Sequence, residues 1–187
     1  MRRDSMSEQI VTAPMVEAWE RFKDILECYC NALSLLNPPC SAEHIQKIEN
    51  RFNLELPHTL KILLTLNNGQ LVDDRGAKSG LFKSISGWDI YERHIFLDIE
   101  GIGTAYNTFI DNKLLTDEFG VNEIPFAVAG SPKHYREAFC INCSTQAVSL
   151  IKTAVWDPWM PPEWQVHKLN RAESLMEFIE KQIGLYW

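Results

Sequence analysis

The chain has 187 residues, enough for one domain with a sizeable core, and its 45% hydrophobic and 23% charged content is that of a globular protein. Asp and Glu number 25 against 18 Lys and Arg, a formal net charge of −7 that repels phosphate backbones and disfavours nucleic-acid binding. No stretch approaches the roughly 20 apolar residues that span a bilayer, and MRRDSMSEQI has two arginines with no apolar run behind them, so neither a membrane span nor a secretory signal is expected. Five cysteines, an odd number, argue against a disulfide framework and for a reducing, cytoplasmic setting.

Residues 1–13 are expected to form a flexible tail. From Pro14, Val16, Trp19, Phe22, Leu26, Tyr29, Leu33 and Leu36 recur at spacings of three and four, which predicts a long amphipathic helix over 14–37 that Pro38-Pro39 ends. Glu17 and Glu20 near its start complement the helix dipole. Its apolar stripe fits packing on the rest of the domain, or dimerisation.

Ser41 is a suitable helix N-cap, and Ile45, Ile48 and Phe52 then share one helical face. Pro57 suits the first position of a second helix, with Leu60, Leu63, Leu64 and Leu66 as its apolar side and Asn67-Asn68-Gly69 as a left-handed stop. After a polar loop from Gln70 to Ser79, Leu81 to Ile85 reads as a strand, and Trp88 to Leu97 is ambiguous between strand and irregular structure. Ile102, Tyr106, Phe109, Ile110 and Leu114 predict a third helix to about Phe119. Ile124 to Val128 is a short apolar run; Ala138 to Ile141 and Ala147 to Ile151 predict a hairpin about Asn142–Gln146; Trp164 to Leu169 predicts one more strand. Asn170 with Glu173 resembles a capping box, opening a helix lined by Leu175, Phe178, Ile179 and Ile183. Helices, then an antiparallel sheet, then a closing helix predict an α+β domain.

The series Ile45, Ile48-Glu49, Phe52, Leu56-Pro57, Lys61, Leu63-Leu64, Asn68-Gly69 resembles the opening motif of the SUKH superfamily, which includes fungal cell-wall assembly regulators and many bacterial immunity proteins. The later order, with IPFA, a hairpin, a last strand and SLMEFIEKQI, is similar too, so that the resemblance covers roughly 41–183. Leu60 stands where members usually carry an aromatic residue, and Gln70 where a second glycine is common. The resemblance implies a single SUKH-like domain over 14–187, with 14–37 an N-terminal helical extension and 41–187 the core. It implies a binding protein with no catalytic residues and no cofactor. The expected partner is a protein, such as a basic toxin domain, and the expected state is a monomer or weak homodimer. A regulatory adaptor in cell-wall or envelope assembly is the alternative, and an enzyme with an unrecognised site a third.

The residues that could carry chemistry fall into few patterns. Cys140 and Cys143 have a zinc-like spacing, but Cys28 and Cys30, two apart on a helix, diverge too far to complete a tetrahedral site, so no metal is expected. His134 with Tyr135, Arg136 and Glu137 forms either a small acid–base cluster or an ordinary surface loop. Glu49 matches the family's glutamate and reads either as a catalytic carboxylate or as an acceptor for backbone N–H groups at the edge of the core.

Two surfaces stand out as partner sites. Asp98, Glu100, Asp111, Asp117, Glu118 and Glu123, with Lys113 as the one cation among them, place −5 within 26 residues and could steer a basic protein. Trp156, Trp159 and Trp164 lie among Pro158, Pro161 and Pro162, a rigid aromatic loop suited to anchoring an interface. A solvated helix face and rings buried against the last helix are the plainer readings of the two.

Overall fold

The computed structural model describes residues 4–30, 32–71, 80–86, 89–111, 122–131, 134–153 and 166–186. Among them lie α1 (Asp4–Cys30), a 3-10 turn (Ala32–Leu35), α2 (Ala42–Phe52) and α3 (His58–Leu66), followed by β1 (Phe82–Ser86) and β2 (Asp89–Phe96). Then come α4 (Ile99–Asp111), β3 (Glu123–Ser131), β4 (His134–Asn142), β5 (Val148–Thr153), β6 (Val166–Ala172) and α5 (Leu175–Gly184). The six strands form one antiparallel sheet in sequence order. The fold is α+β.

The helix expected from Pro14 begins at Asp4, so residues 4–13 are helical and Pro14 lies inside α1. Met15, Ala18, Trp19, Phe22 and Leu26 are buried in the same core as the sheet. Phe22 stacks on Phe82 of β1 at 5.7 Å between centroids, and Trp19 meets Phe96 of β2 edge-on at 5.8 Å. The Trp19 indole N–H also donates to Asn67 Oδ1 at 2.9 Å, tying this helix to the end of α3.

α2 starts where the sequence predicts, with Ser41 Oγ accepting from the His44 N–H at 3.1 Å, and it stops at Asn53 in the left-handed region. α3 ends at Asn67, whose backbone is extended, and of the expected Asn67-Asn68-Gly69 stop it is Gly69 that takes the positive φ. A Cβ on Gly69 would run into the backbone of Leu97 and Asp98, so the close approach of this turn to the start of α4 requires glycine. The neighbouring Asn68 Oδ1 accepts from the Ile99 N–H at 2.9 Å. Gln70, at the position where a glycine is common, is buried, and its Oε1 accepts from the N–H groups of Leu81 (3.1 Å) and Phe96 (2.9 Å), pinning β1 to β2.

α4 begins three residues before the expected Ile102, because Asp98 Oδ1 accepts from the Gly101 N–H and Asn68 holds Ile99. Gly103 sits inside it, where a side chain would strike the Phe52 ring of α2. The expected extension of this helix to about Phe119 lies outside the described residues beyond Asp111. Residues 89–96, ambiguous in sequence, are strand β2.

The capping box at Asn170 is a misreading. Asn170 lies in β6 opposite Ser149 and accepts its hydroxyl at 3.2 Å. The cap is Ser174, whose Oγ accepts from the Glu177 N–H, while the Glu177 carboxylate reaches back to the Glu173 N–H at 2.7 Å. Leu175, Phe178 and Ile179 of α5 are buried, and Phe178 meets Phe82, Phe126 and Phe139 at 4.7–5.5 Å. Gln182 closes the free edge of the sheet: its side-chain amide accepts from the Lys83 N–H and donates to the Lys83 carbonyl, as a neighbouring strand would.

Candidate partner-binding surface

The family-motif residues build a joint. Ile45, Ile48, Leu56 and Pro57 are buried, and Phe52 is half-buried under the Arg51 guanidinium. Glu49 is 4% exposed, and its Oε1 accepts from the Leu56 N–H at 2.7 Å and pairs with Lys61 Nζ at 2.7 Å. The Glu49 carbonyl takes the Leu54 N–H as well. One residue thus holds both ends of the turn between α2 and α3.

That turn is a ridge. Leu54 and Leu56 point inward while Glu55 between them is exposed. The ridge rests on the β4–β5 turn, where Cys143 Sγ donates to the Glu55 carbonyl at 3.4 Å and Thr59 Oγ1 donates to Gln146 Oε1 at 3.0 Å. Polar depressions open on its two sides. One of about 430 Å³ lies against His58, Tyr106, Asn122, Ser144 and Gln146. The other, about 450 Å³, lies against Gln46, Asn50 and the Glu49–Lys61 pair. Asn53 and Glu55 border both. Shallow, amide-rich hollows of this kind suit the polar contacts of a protein surface better than the enclosure of a small molecule.

Among the described residues, the three acidic side chains of the cluster are each engaged within the fold. Glu123 is a correction: it is 2% exposed in β3, paired with Lys168 and accepting from Asn142 Nδ2 at 2.9 Å, because the strand turns it inward. Asp98 is half-buried and caps α4. Glu100 is exposed but shared between Arg51 at 2.9 Å and His44 at 3.6 Å. Asp111 closes α4; its side chain, Asp117, Glu118 and the tryptophans at 156, 159 and 164 lie outside the described residues.

Sequence reasoning missed a buried polar group on the sheet. Glu137 of β4 faces Lys152 of β5 across the ladder at 2.9 Å; Ser84 Oγ of β1 donates to it at 3.1 Å, and His94 Nε2 of β2 stands 3.3 Å away. Burial pushes the Glu137 pKa up, but the close approach of the His94 ring and of the Lys152 ammonium outweighs it and brings it down to about 2. Glu137 is thus ionised and neutralised from within. Of its expected neighbours His134, Tyr135 and Arg136, the side chains lie outside the described residues. Alternation was the available signal, since Glu137 and Lys152 each interrupt an apolar strand.

Cys140 lies in β4 and Cys143 in the turn that follows it. Cys140 is fully buried and burial holds its pKa well up; Cys143 is raised too, by burial first and then by Glu123 and Glu55. Among the described residues no three or more His, Cys, Asp or Glu side chains gather as a metal would need. No described helix is long and apolar enough to cross a membrane.

Fold and surface together define an α+β scaffold whose buried carboxylates, among the described residues, each meet a lysine and whose open polar hollows flank one motif-built turn. Comparison with protein families places it. The model of the SMI1 / KNR4 family (SUKH-1) matches residues 39–181, and the chain belongs to that family. The match begins after α1, so that helix lies outside the family model while its buried stripe packs on the matched domain. No curated protein matches the chain.

Proposed function

We propose that this chain is a non-catalytic protein-binding domain, an immunity protein that binds and neutralises a cognate toxin of nuclease or deaminase type with a basic cleft. The observation that carries the reading is SUKH-1 membership in a domain whose buried carboxylates Glu49, Glu123 and Glu137 are each held by a lysine within the fold, as Lys61, Lys168 and Lys152 do. Acids spent in this way stabilise the scaffold and leave recognition to the surface. The net charge of −7 favours a basic partner. The proposed contact surface is the Glu55 ridge with its two hollows; Asp111, Asp117, Glu118 and the tryptophans at 156, 159 and 164 are proposed as further contacts on their sequence alone.

Family membership is also compatible with the alternative reading, a regulatory adaptor in cell-wall or envelope assembly. The partner separates the two. The test is co-expression with nuclease- and deaminase-type toxin domains, taken first from any neighbouring gene that encodes one, scoring growth rescue and co-purification. Rescue and a stable complex are expected, both weakened by Glu55→Arg with the melting temperature unchanged. Absence of complex and rescue, with envelope-synthesis components recovered instead, favours the adaptor; recovery of neither overturns both.

A further inference from the structure

The two hollows beside the Glu55 ridge differ in charge. The one beside the Glu49–Lys61 pair has a lysine on its rim, and its Gln46 and Asn50 amides are bonded to each other at 3.3 Å. Among the described residues, the wall on the His58 side has no lysine or arginine. Its one carboxylate there is Glu55, which is exposed and has no paired cation among the described residues. A thiol in the same wall registers the sign: Cys143 is held up by burial first, then by the Glu123 and Glu55 charges.

This wall is built before anything binds. Asn142 Oδ1 accepts from the Ser144 and Thr145 N–H groups at 3.0 and 2.9 Å, which folds the β4–β5 turn. Gln146 takes a positive φ of 64°, uncommon for a residue with a side chain, and both ends of that side chain are used. Its Nε2 donates to the Cys143 carbonyl and its Oε1 accepts from Thr59, each at 3.0 Å. The Cys143 N–H donates to the Asn122 carbonyl at 2.8 Å. The turn is thereby tied to itself, to α3 and to the start of β3. Among the described residues, these bonds leave over the Glu55 carboxylate, the Asn53 and Asn122 side-chain amides, the Ser144 hydroxyl and the His58 ring. That remainder is one full negative charge with neutral acceptors around it, beside the apolar surface of Pro57 and Ile124.

We infer that this hollow receives an arginine side chain of the protein partner, its guanidinium against Glu55 and the neighbouring acceptors and its alkyl stem along Pro57 and Ile124. The inference rests on the ridge being the contact surface, and names the group that is read there. A guanidinium spreads its charge over a planar fork of N–H donors and is weakly hydrated, so it meets a carboxylate and amide oxygens together. An ammonium is compact and strongly hydrated, and gains less from acceptors spread around a rim. At about 30 Å³ for each water-sized group, a volume of about 430 Å³ takes roughly fourteen of them, room for that side chain with water left around it. Walls already fixed leave little ordering to be done on binding.

The test titrates the full chain with Nα-acetylargininamide, its neutral isostere Nα-acetylcitrullinamide and Nα-acetyllysinamide, following amide chemical shifts. Saturable binding of the arginine probe is expected, with shifts centred on Asn53, Glu55, His58, Asn122 and Ser144. The citrulline probe is expected to bind at least about fivefold more weakly and the lysine probe at least about threefold. Glu55→Gln, at an exposed turn position, is expected to abolish the preference for arginine over citrulline and to leave the melting temperature unchanged. Equal affinity for arginine and citrulline, shifts mapping to another surface, no saturation with any probe, or a preference that survives Glu55→Gln overturns the proposal. No toxin enters this titration, so its failure leaves the partner reading to the co-expression test, and a positive titration with failed co-expression counts against the toxin reading alone.

Discussion

Replacing Glu49 with glutamine keeps an oxygen for the Leu56 N–H and removes the charge that Lys61 approaches, which isolates the carboxylate's contribution to the α2–α3 joint. A hydrogen bond to a charged acceptor contributes about 1.5–3 kcal/mol and one between neutral groups about 0.5–1.5, so the exchange costs about 1 kcal/mol at the 2.7 Å Leu56 contact. The Lys61 partner is 32% exposed and adds up to about 1 kcal/mol after screening. The sum, about 1–2 kcal/mol, corresponds to a fall of roughly 2–8 °C in a chain of this size. Glu49→Ala also strands a buried N–H and is expected to cost about 2–4 kcal/mol. Thermal and urea unfolding of both variants and of Lys61→Gln supply the measurement. If Glu49→Gln melts within 1 °C of the parent protein yet loses its partner, the carboxylate is a functional group and the structural account of it is wrong.

Gln70→Gly removes the acceptor of two buried N–H groups and is expected to destabilise by about 2–4 kcal/mol, with faster amide exchange at Leu81 and Phe96; unchanged protection there would show that the side chain is dispensable. Glu137 sets an acid limit. Its folded pKa of about 2 lies below the ordinary 4.5, so its contribution is complete above about pH 4.5 and is lost as pH falls from there toward 2. The difference amounts to about 2–3 kcal/mol after allowance for screening. Melting temperatures of the parent protein and of Glu137→Gln should therefore converge between pH 4.5 and 2.5, and parallel curves over that range contradict the assignment.

What the sequence disclosed was what local periodicity and capping determine. Ser41 with Ile45 and Ile48 marks α2, and the Asn142–Gln146 turn marks the β4–β5 hairpin, because the partners that decide each are a few residues apart. Where two local patterns competed, tertiary pairing chose. Asn170 and Glu173 spell a cap, but the Asn170 ladder to Ser149 leaves that role to Ser174 and Glu177. Gly101 and Gly103 obscured the start of α4, since neither Asn68 reaching Ile99 nor the Phe52 ring against Gly103 is visible in sequence. Glu123 looked like part of an acidic face because a run of charge says nothing of which side of a strand each member takes. The Ser84–His94–Glu137–Lys152 cluster was hidden for the same reason: it exists only once four strands are in register.

The central claim is that the protein acts by occupying a partner and transforms nothing. Titrating the activity of the purified cognate toxin with this protein tests it most directly. Inhibition is expected to be immediate, complete near one molecule per toxin, and reversible when the complex is dissociated by salt or denaturant. Progressive loss of toxin activity at a small fraction of that ratio, persisting after the two are separated, would mean turnover and would contradict the claim.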